Sequence, residues 1–134
     1  ARAGLDRGTP PVGPDAAGLP EIIELETKKP KIAVIRYRKR ALQRGPAAEF
    51  AMYRMAYVQY VRLRDGRAAL KTLDHYQRRF ARGAHRESAL WLRIRILCGG
   101  DDRSACRAAA HTYLNRFPGG RHAALAGQIV NWDI

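Results

Sequence analysis

The sequence lacks any hydrophobic run that approaches the roughly 18 residues of a membrane-spanning helix, so we expect no transmembrane segment. Only two cysteines occur among 134 residues, which excludes a small scaffold held together by many disulfides. A glycine-rich phosphate loop, a GxSxG nucleophile elbow and an HExxH zinc motif are all missing from the sequence. These absences remove the commonest sequence signatures of nucleotide-dependent, hydrolytic and metal-dependent enzymes.

Acidic residues are scarce: 12 Asp and Glu stand against 25 Lys and Arg, which gives a net charge of +13 at pH 7. The first 30 residues carry five acids and four bases, so the positive charge belongs to residues 31–134. Because the acids are few and scattered, the sequence indicates no carboxylate pair for general acid–base catalysis. We therefore predict a protein that is not an enzyme and that uses no cofactor and no metal.

The N-terminal third differs in composition from the rest of the chain. Residues 1–20 are rich in Gly, Pro and Ala, which is typical of a linker. Residues 31–44 fit two interpretations: the run 32–35 is mostly β-branched and favours a strand, whereas Ile32, Ile35, Lys39 and Leu42 are spaced along one helical face. We favour a short strand over 32–38 and predict a mostly extended segment over residues 1–45.

From Pro46 onward the apolar residues recur at helical spacing. The spacing predicts one all-α domain over residues 46–134, with short turns at the Gly-containing breaks. Its helices are expected at 46–63, 67–81, 85–98, from a cap at Asp101 or Asp102 to Phe117, and at 121–130.

An internal repeat links these helices in pairs. The second and fourth predicted helices superpose at a period of 37, and the first and third at 38. The matched pairs include Glu49 with Glu87, Tyr53 with Trp91, Asp65 with Asp102, Tyr76 with Tyr113, Gly83 with Gly120, and His85 with His122. Repeats of this length are typical of an α-solenoid, in which neighbouring hairpins share a core. Because His85 and His122 recur once per repeat, we expect them to have a structural role at a helix start.

The repeat resembles the tetratricopeptide repeat. Tyr53 and Trp91 match its bulky residue early in the first helix, Ala69 and Cys106 match its small residue in the second, and Phe117-Pro118 matches its end. The stretch 113–120 (YLNRFPGG) is similar to repeats of bacterial outer-membrane assembly and periplasmic division proteins. The resemblance implies a short right-handed stack with repeats at 47–84 and 85–121 and a terminal helix at 121–130.

The resemblance also implies a function, which is a non-catalytic interaction or scaffold module that helps to assemble a complex in the bacterial periplasm or envelope. Its partner would be a protein with an acidic surface or an acidic peptide segment. In such stacks the first helices of the hairpins line the concave face, so the groove candidates are Arg54, Tyr57, Gln59, Arg62, Arg93 and Arg95. The alternative functions are a nucleic-acid-binding protein and a periplasmic sensory or regulatory domain, and the alternative compartment is the cytoplasm.

The densest basic run is a second candidate surface, and it comprises Arg36, Tyr37, Arg38, Lys39, Arg40 and Arg44. It could contact nucleic-acid phosphates, with Tyr37 stacked on a base. It could equally meet acidic lipid headgroups at a membrane periphery, or an acidic protein face. A solvated strand or helix face without a partner is the remaining interpretation.

Cys98 and Cys106 flank the turn between the third and fourth predicted helices. Their positions face each other across a hairpin, so a disulfide is sterically conceivable and would suit an oxidising periplasm. Two small buried side chains are the alternative. A metal site is disfavoured, because two cysteines separated by seven residues lack the tight spacing of a zinc knuckle and a fourth ligand is not evident.

Overall fold

The computed structural model describes residues 9–131, and all regular structure within that range is helical. A short 3-10 helix, Pro14–Ala16, comes first. The seven α-helices that follow are α1 (Leu19–Lys28), α2 (Pro30–Ala41), α3 (Pro46–Val61), α4 (Gly66–Arg79), α5 (Arg86–Cys98), α6 (Arg103–Arg116) and α7 (Ala123–Val130). The prediction of an all-α fold is confirmed.

The described residues divide into two compact units, the first ending at Arg86 and the second beginning at Glu87. In the first unit α2 packs against both α1 and α3, and α3 packs against α4. Because helices cover α3 on two sides, twelve of its sixteen residues are buried. In the second unit the core is one cluster drawn from α5, α6 and α7, centred on Trp91, Ile94, Tyr113 and Ala126.

The five helices predicted after Pro46 are confirmed, with ends within two residues of the expected positions. Local sequence explains two of the starts. Asp65 accepts a hydrogen bond from the backbone N–H of Ala68 at 3.0 Å, and Asp102 accepts one from Ala105 at 3.0 Å. Each aspartate thereby satisfies an N–H group that the first turn of its helix leaves unpaired.

The predicted strand over 32–38 is wrong, because these residues lie within α2. Pro30 suits the first turn of a helix, since the N–H that proline lacks is unpaired there in any case. Ala33, Val34, Tyr37 and Ala41 are buried and recur at helical spacing, between α1 and α3. Their packing outweighs the preference of β-branched residues for strands, which amounts to less than about 1 kcal/mol.

The extended N-terminal segment predicted over 1–45 is also wrong for most of its length. Residues 19–41 are helical apart from Lys29, and Leu19 and Ile22 are buried with the inner face of α2. Residues 9–13 have no regular structure, while residues 1–8 of the predicted linker lie outside the described residues. Within the described part of the predicted linker, Gly13 and Gly18 stand immediately before the 3-10 helix and α1.

Candidate functional site

One glutamate-centred contact recurs in both units, and it is buried in the first unit and partly buried in the second. In the first unit the Tyr76 hydroxyl donates to Glu49 Oε2 at 2.5 Å, and the His85 backbone N–H donates to the same oxygen at 2.8 Å. The His85 ring stacks on Tyr53, with ring centroids 5.6 Å apart and planes 8° from parallel. The contact ties α3, α4 and the turn after α4 together.

The second unit repeats this contact with the matched Glu, Tyr and His, but the backbone donor to the carboxylate is Arg121, which matches Ala84. The Tyr113 hydroxyl donates to Glu87 Oε2 at 2.6 Å, and the Arg121 backbone N–H donates to it at 2.9 Å. The His122 ring stacks on Trp91, with centroids 4.1 Å apart and planes 5° from parallel. The recurrence assigns both histidines a packing role beside a carboxylate at the start of a helix.

Two glycines make room for the contact. A Cβ atom on Gly83 would lie 2.1 Å from Glu49 Oε2 and 2.7 Å from the Tyr76 hydroxyl. A Cβ atom on Gly120 would lie 2.5 Å from both Glu87 Oε2 and the Tyr113 hydroxyl. Glycine is required at these two positions because any side chain would displace the hydrogen-bonded groups.

Burial and these hydrogen bonds together set the pKa values of Glu49, Tyr76 and Tyr113. Burial opposes the charge on Glu49, but hydrogen bonds from His85 and Tyr76 outweigh it and lower the Glu49 pKa to about 2. Burial, followed by the hydrogen bond to Glu49, raises the pKa of Tyr76. Burial and Glu87 raise the pKa of Tyr113 to about 12. The glutamate is therefore charged and the tyrosines are neutral near pH 7, which is the pairing that the hydrogen bonds require.

The two glutamates, and Asp15 before them, also act as remote helix caps. Asp15 Oδ2 accepts from the Ala47 N–H at 2.7 Å, in the first turn of α3, whose own cap residue supplies no side-chain hydrogen bond. Glu49 likewise receives an N–H just ahead of α5, and Glu87 receives one just ahead of α7. We call these three contacts the carboxylate caps. In α7 the positions matched to Glu87 are Ala124 and Leu125, so α7 provides no carboxylate of this kind.

Arg54, predicted to line a groove, lies instead inside the first unit. Its guanidinium donates through Nε to Glu26 Oε2 at 2.8 Å and through a terminal nitrogen to Glu26 Oε1. Only 5% of Arg54 and 3% of Glu26 are exposed. Burial opposes the charge on Arg54, but the hydrogen bond and charge of Glu26 raise its pKa. This pair joins α1 to α3 and is inaccessible to a partner.

Two further groove candidates are also buried. Tyr57 lies beneath the Arg54 guanidinium, whose central carbon is 4.2 Å from the ring centroid. The Gln59 side chain accepts a hydrogen bond from the Thr72 hydroxyl at 2.6 Å. Arg62 and Arg95 are exposed and Arg93 is half-buried. The predicted groove of six residues is therefore wrong for its three members in the middle of α3.

The basic run divides between surface and interior. The Tyr37 side chain is fully buried and its hydroxyl donates to Glu26, so the prediction that it stacks on a nucleic-acid base is wrong. Burial, reinforced by Glu26, raises the Tyr37 pKa. Arg40 donates to the Asp15 carbonyl oxygen at 2.5 Å. The exposed members of the run are Arg36, Arg38, Lys39 and Arg44.

The same helix also carries an exposed apolar surface that was not predicted from the sequence. Ile32 is 39% exposed, Ile35 is 61% exposed and Leu42 is 78% exposed. The helical spacing of Ile32, Ile35, Lys39 and Leu42 was visible in the sequence, but such a stripe ordinarily faces the core. In α2 the stripe points outward, because the neighbouring stripe of Ala33, Val34, Tyr37 and Ala41 fills the core.

The two cysteines are joined. Cys98 Sγ and Cys106 Sγ lie 1.99 Å apart, with their Cα atoms separated by 4.6 Å, across the turn between α5 and α6. The structure places no cluster of three or more His, Cys, Asp or Glu side chains suited to a metal ion within residues 9–131. In the same part of the chain we find no helix long and apolar enough to cross a membrane.

Comparison with known proteins adds no family to this description. The chain matches no protein-family model, no curated protein and no solved structure.

Proposed function

We propose that this chain is a non-catalytic protein-interaction or scaffold module built as a short, right-handed tetratricopeptide-like stack. The observation that carries the proposal is the recurrence of the Glu–Tyr–Gly–His contact at an interval of 37 to 38 residues. A catalytic group has no reason to recur once per hairpin, whereas a hydrogen-bonded contact that stabilises each hairpin is expected to recur. The buried charged residues at these positions serve the framework, and the exterior is left for recognition.

Charge supports an acidic partner. With a net charge of +13, the chain attracts acidic protein surfaces over distances of about a Debye length, and this raises association rates. Arg62 on the segment after α3 and Arg95 on α5 are exposed and remain candidates for contact. The function we infer is the docking of an acidic protein or peptide segment onto a preformed helical surface.

The disulfide supports an envelope setting. Disulfides persist in the bacterial periplasm and are rare in the cytosol, where thiols are kept reduced. The similarity of residues 113–120 to repeats of envelope assembly proteins points to the same compartment. We therefore place the proposed scaffold in the periplasm, as a subunit that helps to assemble or stabilise a larger complex.

The proposal is tested by site-specific photocrosslinking in the native cell. A photoreactive amino acid replaces Arg62 or Arg95 in turn, and exposed Lys71 on α4 serves as a comparison site. We expect discrete crosslinked protein bands that survive nuclease treatment and fractionate with the envelope. Bands that nuclease abolishes, or an absence of bands at all three positions, would overturn the proposal.

A nucleic-acid measurement addresses the alternative function. Fluorescence anisotropy with labelled oligonucleotides is measured at low and moderate salt, with heparin as competitor. We expect weak binding that heparin removes. Tight, heparin-resistant binding that falls by about 10³-fold or more between 50 and 200 mM salt would establish phosphate recognition instead.

A further inference from the structure

The outer face of α2 carries an apolar stripe with the spacing of a coiled-coil seam. Ile32, Ile35, Lys39 and Leu42 follow one another at intervals of three, four and three residues. All four are exposed, and Leu42 keeps a helical backbone conformation at the end of α2. Such spacing places side chains in a narrow row along one side of a helix, where a second helix can pack.

The outer face of α2 is more apolar than the matched face of α4. Tyr37 and Tyr76 occupy matched positions, because each is buried and donates its hydroxyl to a carboxylate. Counting from these tyrosines, Ile32 corresponds to Lys71 in α4, and Ile35 corresponds to Asp74. Both α4 residues are exposed and polar. At these two positions α2 therefore carries branched apolar side chains where α4 carries charged ones.

Basic residues border the seam on both sides. Lys31 and Arg38 lie along one edge and Arg36 along the other, at positions that flank the core of a coiled coil. All three are exposed, Lys39 adds a charge within the seam itself, and α2 contains no acidic residue. A second copy of this chain docked through the same face would bring base against base, which is unfavourable.

We infer that the outer face of α2 is a docking site for an amphipathic helix of a partner protein, with an apolar seam and acidic residues on both flanks. The inference rests on the proposed interaction function and names the partner's chemistry. Opposite charges at the flanking positions would set the pairing, and the apolar seam would supply the buried area. A membrane surface fits less well, because a helix lying in an interface buries a broad apolar face, not a row edged with bases.

The test uses the full chain and a designed probe. The probe is a fluorescein-labelled peptide of about three heptads, with Leu and Ile in the seam and Glu at the flanking positions. Binding is followed by fluorescence anisotropy at physiological salt. We expect saturable binding that the double variant Ile32→Lys/Ile35→Asp weakens about tenfold or more, since it removes most of the apolar area of the seam. This variant installs the residues found at the matched positions of α4, and circular dichroism checks its fold.

Controls separate the docking site from general charge attraction. The variant Lys71→Ala/Asp74→Ala, which alters the matched face of α4, should bind the probe as the wild type does. A peptide with Lys at the flanking positions should not bind. The inference is overturned by an absence of saturable binding up to about 100 µM probe, by equal binding of both peptides, or by retention of full affinity in the double variant.

Vesicles of anionic lipid provide the last comparison. If the chain bound these vesicles through Ile35 and ignored the acidic peptide, the α2 face would be a membrane contact and the inference would fall. If the peptide did not bind but the chain still formed protein crosslinks at Arg62 or Arg95, only the proposed docking site on α2 would be refuted. Failure of both would remove the proposed interaction function as well.

Discussion

The carboxylate of Glu49 makes a pH-dependent contribution to stability whose size follows from its environment. Its pKa is about 2 in the folded chain, against an ordinary value of 4.5. At about 1.4 kcal/mol per pKa unit, the difference corresponds to about 3 kcal/mol, and solvent near the exposed turn beside it reduces this to about 2 kcal/mol. Because the folded pKa is lowered, this stabilisation is present above pH 4.5 and disappears as the pH falls toward 2.

The measurement is urea unfolding followed by circular dichroism at several pH values, on the wild type and on Glu49→Gln. At pH 7 we expect the variant to be less stable by about 2 kcal/mol, because the charged acceptor of the Tyr76 hydroxyl is lost. Near pH 2.5 the difference should shrink to about a quarter of its size at pH 7, since the carboxylate is then almost fully protonated in the unfolded chain and about one-quarter protonated in the folded chain. Glu24→Gln, on the exposed side of α1, is the matched control and should leave the unfolding free energy unchanged at pH 7 and at pH 2.5. A gap of equal size at pH 7 and pH 2.5 would refute the assignment of Glu49 as a charged, hydrogen-bonded fastening.

Three further predictions concern a close glycine approach, a buried ion pair and the disulfide, each of which stabilises the fold. Gly83→Ala should lower the unfolding free energy by about 1–3 kcal/mol in the same urea titration, since the added Cβ would overlap Glu49. Gly119→Ala is the control and should change the unfolding free energy little, because the space around Gly119 is open. Arg54→Met should cost about 3–5 kcal/mol because it leaves the Glu26 carboxylate buried and unpaired, and adding Glu26→Gln should restore part of that loss in a double-mutant cycle. Reduction of the Cys98–Cys106 disulfide should lower the unfolding free energy by about 2–3 kcal/mol, because the unfolded chain gains the entropy of opening a loop that spans eight residues. In a variant with both cysteines replaced by Ala, the reductant should have no effect on thermal unfolding.

The helices after Pro46 could be predicted from the sequence because their apolar spacing, capping aspartates and glycine turns all agree. The repeat also identified the members of the recurring contact, Glu49, Tyr76 and His85, as matched positions. Their hydrogen bonds were beyond sequence reasoning. Those bonds depend on how closely the turn after α4 approaches α3, and the close approach at Gly83 becomes visible only in three dimensions.

The wrong prediction for Arg54 has a physical origin, which is a pairing over long sequence separation. Arg54 was assigned to a groove because it is a polar residue on a first helix of a hairpin, and in tetratricopeptide-like stacks those helices line the concave face. Its partner Glu26 lies 28 residues earlier, in the N-terminal segment that was predicted to be mostly extended. Once α1 and α2 are recognised as helices, Glu26 and Tyr37 face Arg54 in the interior. Because the helices of the N-terminal segment were not predicted, the partner that stabilises the buried charge of Arg54 was not predicted either.

The carboxylate caps give the fold a direction. Asp15 precedes the N–H of Ala47, Glu49 precedes the N–H of His85, and Glu87 precedes the N–H of Arg121. In every case the acceptor stands 32 to 36 residues earlier in the chain than the donor that it binds. During synthesis from the N-terminus, each new hairpin therefore emerges to meet an acceptor that is already present, and the chain can close one hairpin at a time in the order of its translation.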